Sequence, residues 1–528
     1  MKASRNNYTR YLLPDKMTKK HFMDTLQKCF TINMFETTSE TFSILDSFEC
    51  GLYNQRMMAV RHENNNISLW NEDDLLDPEL SLDIENTTVH SRFWWDFPDS
   101  SAKEILKDIL DLRALSPIYK GLLKTEQFNF QNEEGKILVF CQLISISEPA
   151  TPRTPVMRQA KLIPVTGYMK EYRQAEELLK ELGGFEATLP PLDSLLGAIG
   201  VLPQPYTVKP KLNLSASMTA RAAANSIILT MMEKQRLTED GIIDDIDTEF
   251  LHHYRVAIRM TRAAIAQLKD VFPEQDVEML KNRFGALARK TNLLRDLDVF
   301  ILDKKRYMNL LPESLRSGLS PMFDDFEKSR TSEVKKIARW LSGKTYKNEM
   351  TELEALFEHG YSALETEWSE KPTIDLAVNK IQKRYRKIQK AAAKITSDTP
   401  DEAIHDIRIN CKKLRYLLYF FSSMFKKKQV KVVINHLKSL QDTLGVFNDL
   451  TVQGEFLGNY LYELEHKPKK DIMLIASLGG LISSLYSMQR LERDNCIVEL
   501  AIFSNAENRQ LFKETFIQPK EKNMESEK

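Results

Sequence analysis

Two short stretches of the chain repeat one set of proton-handling and anion-handling side chains at one spacing. His252, Arg255, Arg259 and Arg262 in LHHYRVAIRMTR match His405, Arg408, Lys412 and Arg415 in IHDIRINCKKLR, each pair 153 residues apart. At about 100° per residue, positions i, i+3, i+7 and i+10 of a helix fall in one narrow sector, so each stretch predicts a helix with all four groups on one face. Leu251, Ile258, Ala263 and Ile265, with Ile404, Ile409, Leu418 and Phe420 in the second stretch, supply an apolar side that packs while the stripe stays available. Like charges three and four residues apart repel mildly, so such a stripe does not serve helix stability. Two of them brought together ask for an anion. Arginine holds phosphate or carboxylate through a planar fork, lysine is a mobile point charge, and histidine beside a polyanion holds its proton more firmly. That mixture suits repeated phosphate groups better than one small ligand.

The similarity runs on without a gap. Leu287 meets Leu440, and RDLDV at 295–299 meets NDLTV at 448–452, which pairs Asp296 with Asp449 and Val299 with Val452. Two copies of one unit follow, around 215–308 and 373–465. Arg295 has no cationic counterpart, because Asn448 stands at its position. A basic stripe on a single helix is most often a solvated face, and the repetition is what makes this one a candidate site. His252 and His405 serve either as capping or core residues or as ligand contacts. Asp296 and Asp449 either orient the stripe arginines or join the copies through salt bridges. The adjacent His252 and His253 lack the i+4 spacing of a metal-binding pair.

Around these residues, helical periodicity predicts segments at 215–236, 246–270, 275–308, 321–342, 346–369, 373–396, 401–425, 428–447, 451–465 and 471–491. Residues 213–514 therefore read as an all-helical domain, with a polar tail at 515–528. Residues 1–200 read as a separate α+β domain. TFSILDSFECGLYNQRMMAVRHENNNISLW and GKILVFCQLISI have the short β-branched and aromatic runs of antiparallel strands, while MTKKHFMDTLQKCF and TGYMKEYRQAEELLKELGG have helical spacing. The proline-rich stretch around 201–212 reads as the linker.

Charge follows the same division. The chain carries 74 Lys+Arg and 74 Asp+Glu, yet residues 1–205 hold 22 basic and 29 acidic residues, and the remainder 52 and 45. Between 380 and 438 there are 16 basic residues against four acidic ones, the electrostatic signature of a polyanion-binding region. Five scattered cysteines without a CxxC pair argue against a disulfide framework and a zinc cluster. No apolar leader with a small-residue cleavage site opens the chain, so a cytoplasmic protein is expected. No stretch reaches the roughly 18 uninterrupted apolar residues of a membrane span, and no membrane partner is expected. The nearest, Ile472 to Tyr486, reads as a buried helix.

The doubled H-x-x-R-x-x-x-[RK]-x-x-R, with RDLDV following the first copy, resembles the CHAD family (conserved histidine α-helical domain) over about 210–510. The resemblance implies a helical bundle of two pseudo-symmetric halves around a basic cavity that binds inorganic polyphosphate. On that reading the eight stripe residues line the cavity, Arg295, Asp296 and Asp449 support it, and Arg384, Lys387 and Lys390 of KIQKRYRKIQK contribute. Association with polyphosphate granules would follow. The N-terminal region resembles a degenerate CYTH domain, a β-tunnel that hydrolyses triphosphates with metal, through ILDSFECGLYNQRMMAVR and LIPVTGYMKEYRQAEELLKELG. That family's opening ExExK, whose carboxylates hold the metal, is missing, since the opening here reads NNYTRYLLP. Catalytic residues, metal ligands and cofactors are therefore not expected. Arg56, Arg61 and Lys124 read as structural residues sooner than anion contacts. The competing readings are a metal-dependent triphosphatase acting through the N-terminal domain and a nucleic-acid binder using the same helices. The second is disfavoured by the scarcity of stacking aromatics beside the stripe.

Overall fold

The structure, a computed structural model, describes residues 8–14, 17–72, 81–151, 155–186, 191–201, 203, 206–360, 366–396, 398–466 and 471–516. The chain divides into two compact units between Thr207 and Val208.

The first unit is built on a nine-stranded antiparallel sheet in the order β5-β4-β3-β2-β6-β7-β8-β1-β9. In chain order its elements are β1 (Thr9–Leu12), α1 (Lys19–Leu26), β2 (Thr31–Asp46), α2 (Gly51–Asn54), β3 (Met57–Arg61), β4 (Ile67–Asn71), β5 (Leu82–Ile84), α3 (Ser101–Leu110), β6 (Ser116–Gln131), β7 (Ile137–Ser147), β8 (Pro155–Pro164), α4 (Met169–Glu181), β9 (Phe185–Glu186) and α5 (Pro191–Ala198). One face packs Phe42, Ile44, Met58, Val60, Trp70, Ile144 and Ile146 against Leu192, Leu195 and Leu196 of α5. The alternate residues, such as Cys141 and Leu143, point the other way and pack with Phe22 and Leu26 of α1 and Tyr172 and Leu179 of α4. Tyr11 of β1 belongs to that second cluster. The face that meets α5 therefore receives Arg10 and Leu12, with no carboxylate among the inward positions of this strand.

The second unit contains α6 (Ala220–Arg236), α7 (Glu239–Ile243), α8 (Thr248–Gln267), α9 (Glu274–Lys290), α10 (Asn292–Leu302), α11 (Lys304–Asn309), α12 (Glu313–Arg316), α13 (Ser320–Ser342), α14 (Lys344–Ala355), α15 (Thr373–Ala392), α16 (Asp401–Phe421), α17 (Lys427–Glu465), α18 (Ile472–Phe503) and α19 (Ala506–Thr515). The helices α15, α16 and α17 begin 153 residues after α6, α8 and α9. Equivalent residues Thr219 and Pro372 form an antiparallel bridge. Within it Ala220 N donates to Lys371 O at 2.9 Å and Thr373 N to Met218 O at 2.8 Å. Each bond is the image of the other under the 153-residue offset, so a pseudo-two-fold axis relates the copies at this point. They also share a core, in which Leu297 and Phe300 of α10 and Met322 and Phe326 of α13 pack with Leu450 and Leu457 of α17 and Leu478 and Leu481 of α18.

Three expectations are corrected. The segment read as one helix over 275–308 breaks at Thr291, whose hydroxyl bonds Ala288 O at 3.0 Å and so competes with the helical ladder. Conversely, 428–447 and 451–465 are one 39-residue helix, because Leu444 stands where the first copy has Thr291. The apolar stretch from Ile472 is helical but not buried throughout, since Ile472 is 79% exposed and Tyr486 60%. Its helix α18 is, by length and composition, long and apolar enough to cross a membrane.

A polar network joins α6, α7, α8 and α14. The Tyr254 hydroxyl donates to that of Tyr346 at 3.2 Å, Gln235 Nε2 donates to the same oxygen at 3.2 Å, and Tyr346 donates to Glu239. Burial pushes the Glu239 carboxyl up to about 7, against the pull of Tyr346 and Arg236. Its neutral form is thus favoured by folding. That stabilisation is complete below the ordinary carboxyl range and is lost as pH rises through 7. Glu239→Gln is accordingly expected to raise the melting temperature by several degrees at pH 8 and to leave it unchanged at pH 5. Equal melting curves at pH 8 would show that Arg236, 3.5 Å away, already compensates the charge.

Candidate anion-binding site

The stripe helices are fixed from their ends. Asp247 caps α8, its carboxylate accepting from Glu249 N at 2.9 Å and Phe250 N at 3.3 Å. This start sets the rotation that buries Leu251, Tyr254 and Ile258 and turns the stripe away from the core. On α16 the same rotation buries Ile404, Ile407 and Leu414.

Between α8, α10 and α17 lies a cleft of about 350 Å3, lined by His252, Arg255, Arg259, Arg295, Asp296, Val299, Phe300, Asn448, Asp449, Val452, Gln453 and Phe456. Phe300 and Phe456 stack there with ring centroids 4.7 Å apart. Arg255 Nη1 donates to Thr291 Oγ1 at 2.9 Å and Asn292 Oδ1 at 2.8 Å, so this arginine also holds the break between α9 and α10. Arg408 Nη2 donates to Asp449 Oδ1 at 3.3 Å. Asp296 faces Arg255 and Arg295, and burial still raises its carboxyl. Each aspartate therefore answers the stripe arginine of its own copy. Two guanidinium nitrogens, Arg295 Nη1 and Arg408 Nε, are shut off from solvent without a hydrogen-bond partner among the described residues, and Arg295 Nη1 lies 3.7 Å from Glu249 Oε1 in an ion pair. Buried donors of this kind are costly unless a ligand satisfies them.

The two stripes meet electrostatically at Arg259. Burial pushes the Lys412 ammonium down to about 8, helped by Arg408, Arg259 and Arg415 and opposed by Asp449. Burial and Arg259 likewise lower Arg408. Lys209 is lowered by desolvation, then by Arg415 and Arg259, which places a further cation against the cluster. Sequence reasoning missed Lys209 because VKPK at 208–211 reads as linker. Tyr419 holds this segment by donating to Pro210 O at 2.5 Å. Among the described residues, Arg259, Arg262, Lys412 and Arg415 have no carboxylate in ion-pair range.

The remaining expected residues are distributed as follows. His252, Arg255 and Arg259 line the cleft, whereas Arg262, His405, Arg408, Lys412 and Arg415, expected there too, lie outside its lining, with Arg262 and His405 exposed. Arg384 donates to Asn410 Oδ1 at 2.8 Å and, with Lys387, sits beside Lys413, on a side of α16 away from the stripe. Lys387 and Lys390 are exposed. In the sheet unit, Arg56 is held by Glu72 at 2.6 Å and Asp193 at 2.9 Å. Arg61 donates to Val89 O and Ser91 O, and Lys124 pairs with Glu126 at 3.1 Å. Arg56 and Lys124 serve the fold, whereas Arg61 also lines, with Arg92 and Lys120, a cavity of about 470 Å3. On the α5 side of the sheet, a cleft of about 380 Å3 is lined by Glu36, Glu40, Asp83 and Glu85 without a lysine or arginine.

Fold and site together define an all-helical domain made of two copies of one unit with a cationic cleft at their junction. Residues 226–458, within the helical unit, match the CHAD domain family model. The chain is similar to the crystal structure of the CHAD domain from the plant Ricinus communis, at 22% identity and a TM-score of 0.47, over 55% of this chain and 95% of that one. It is also similar to PptA from Streptomyces chartreusis, at 13% identity and a TM-score of 0.40, over 56% of this chain and 99% of that one. The uncharacterized protein MT2285 of Mycobacterium tuberculosis is 24% identical over 196 residues, which are 37% of this chain and 38% of the length of that relative.

Proposed function

We propose that this protein binds inorganic polyphosphate in the cleft between the two helical copies, without catalysis there, and that the sheet unit is an accessory module. One observation carries the reading. Arg259 of the first stripe is close enough to Arg408 and Lys412 of the second to work against their charge, and among the described residues no carboxylate lies in ion-pair range of Arg259 or Lys412. A site that holds like charges together and shields them from water is relieved by a polyanion. The metal-dependent triphosphatase alternative is disfavoured by Arg10 and Leu12 on the inward side of β1, where that chemistry needs metal-holding carboxylates.

A salt titration tests the proposal. Displacement of counterions makes log affinity fall linearly with log salt, and five or six phosphate contacts give a slope of roughly −4. A slope near zero would rule out an electrostatic cleft. Competition separates polyphosphate from nucleic acid, because RNA or DNA displacing long-chain polyphosphate at equal phosphate concentration would transfer the assignment to nucleic acid. Binding is also expected to weaken as pH rises through about 8, where Lys412 loses its proton, and Lys412→Arg is expected to flatten that dependence.

A further inference from the structure

The cleft is short. At about 350 Å3 it stands at the small end of the volumes that enclose a drug-sized ligand, so a long linear anion seated in it must continue outside. One surface offers a path. On α15, Lys383, Arg386, Lys387 and Lys390 are exposed at i, i+3, i+4 and i+7, one sector of the helix. Lys413 of α16 lies near Lys387 and Arg384, with Asp406 the acidic group beside it. Among the described residues, none of these exposed lysines nor Lys413 has a carboxylate in ion-pair range.

Two comparisons give this surface meaning. In the first copy the positions of Lys383, Arg386, Lys387 and Lys390 are taken by Thr230, Glu233, Lys234 and Leu237, so the basic face is no requirement of the repeat fold. Its like charges repel at helical spacing and lower the stability of α15 slightly. In addition, α16 carries Lys412 toward Arg259 and Asp449, which line the cleft, and Lys413, one residue on and about 100° round the helix, toward Arg384 and Lys387 of α15. One helix wall thus presents cations on both sides.

We infer that the exposed face of α15, with Lys413, is a second polyphosphate-binding surface that takes the part of a long chain the cleft cannot hold. The inference rests on the reading of the cleft. It predicts that affinity depends on chain length through residues that short chains never touch.

The test uses the full-length protein and compares tripolyphosphate with long-chain polyphosphate for two variants. For Lys383→Ala/Lys387→Ala/Lys390→Ala/Lys413→Ala, long-chain affinity is expected to fall at least about five-fold, with a shallower salt slope, while tripolyphosphate affinity stays within about two-fold. Arg408→Ala/Lys412→Ala is expected to weaken both ligands. Unchanged long-chain affinity in the quadruple variant overturns the second surface, and so does equal weakening of both ligands, which would place these lysines at the cleft. Loss of RNA binding with polyphosphate binding intact overturns it in favour of nucleic acid. Failure of the Arg408/Lys412 variant to weaken tripolyphosphate refutes the cleft reading separately. Circular dichroism on both variants shows that the helices persist.

Discussion

Replacing Arg408 and Lys412 together by alanine is expected to lower affinity for long-chain polyphosphate by roughly two orders of magnitude at about 150 mM salt, with helical content unchanged. A hydrogen bond to a charged group contributes about 1.5–3 kcal/mol, so two such contacts, discounted for partial exposure, give about 3 kcal/mol or some hundred-fold. Folding should tolerate the change. Lys412 is charged against the combined pull of burial, Arg408, Arg259 and Arg415, so its removal relieves the free protein. Removing Arg408 leaves Asp449, 66% exposed at its side chain, to be solvated. The measurement is fluorescence or calorimetric binding beside a melting curve. An affinity within two-fold of the parent at an unchanged melting temperature would remove the stripe from the binding site.

A large loss of stability is expected from Gly318→Ala. Gly318 lies in the turn at 317–319 that leads into α13 and is pressed against α18. A Cβ there would overlap Ser477 Oγ and stand 2.8 Å from the carbonyl oxygen of Met473. Neither can yield cheaply, because Met473 O is backbone and Ser477 Oγ donates to Leu315 O at 2.7 Å. Such overpacking costs about 2–3 kcal/mol, and α18 would have to separate from the turn that it braces. A drop in melting temperature of roughly 5 °C or more is expected. Gly479 on the facing helix α18, whose added Cβ would meet nothing within 4 Å, is the control, and its alanine variant should be neutral or slightly stabilising. Equal melting of the two variants would contradict the close contact at Gly318.

Much of the helical unit was readable because its signal is local. The offset between His252 and His405 carries over to the starts of three helix pairs, since identical spacing of apolar residues buries the same side of each helix. What stayed hidden depends on single residues or on distant partners. Periodicity continues across Thr291, so the break between α9 and α10 has no signature beyond one hydroxyl. It also continues from 447 to 451, where a pause was read and α17 runs straight through. The reach of Arg384 toward Asn410 depends on which side of α15 meets α16, and sequence spacing does not contain that. Lys209 escaped for the same reason, because its neighbours Arg259 and Arg415 are distant along the chain. In the sheet unit, alternation marked the strands, but the role of α5 in covering one face was not legible, because its partners on β2, β3, β4 and β7 are distant along the chain.

The bridge at Thr219 and Pro372 has a further consequence. A two-fold axis relating the copies makes the stripes run in opposite senses, so a linear ligand meets the same sequence of groups whichever end enters first. Nucleic acid has a direction, and a directional chain can satisfy at most one half of such a site as well as it satisfies the other. Polyphosphate has none, since its backbone reads identically from both ends. Asn448 in place of Arg295 is one point where the symmetry is broken, and a chain bound across the axis would be held more firmly at the end beside Arg295.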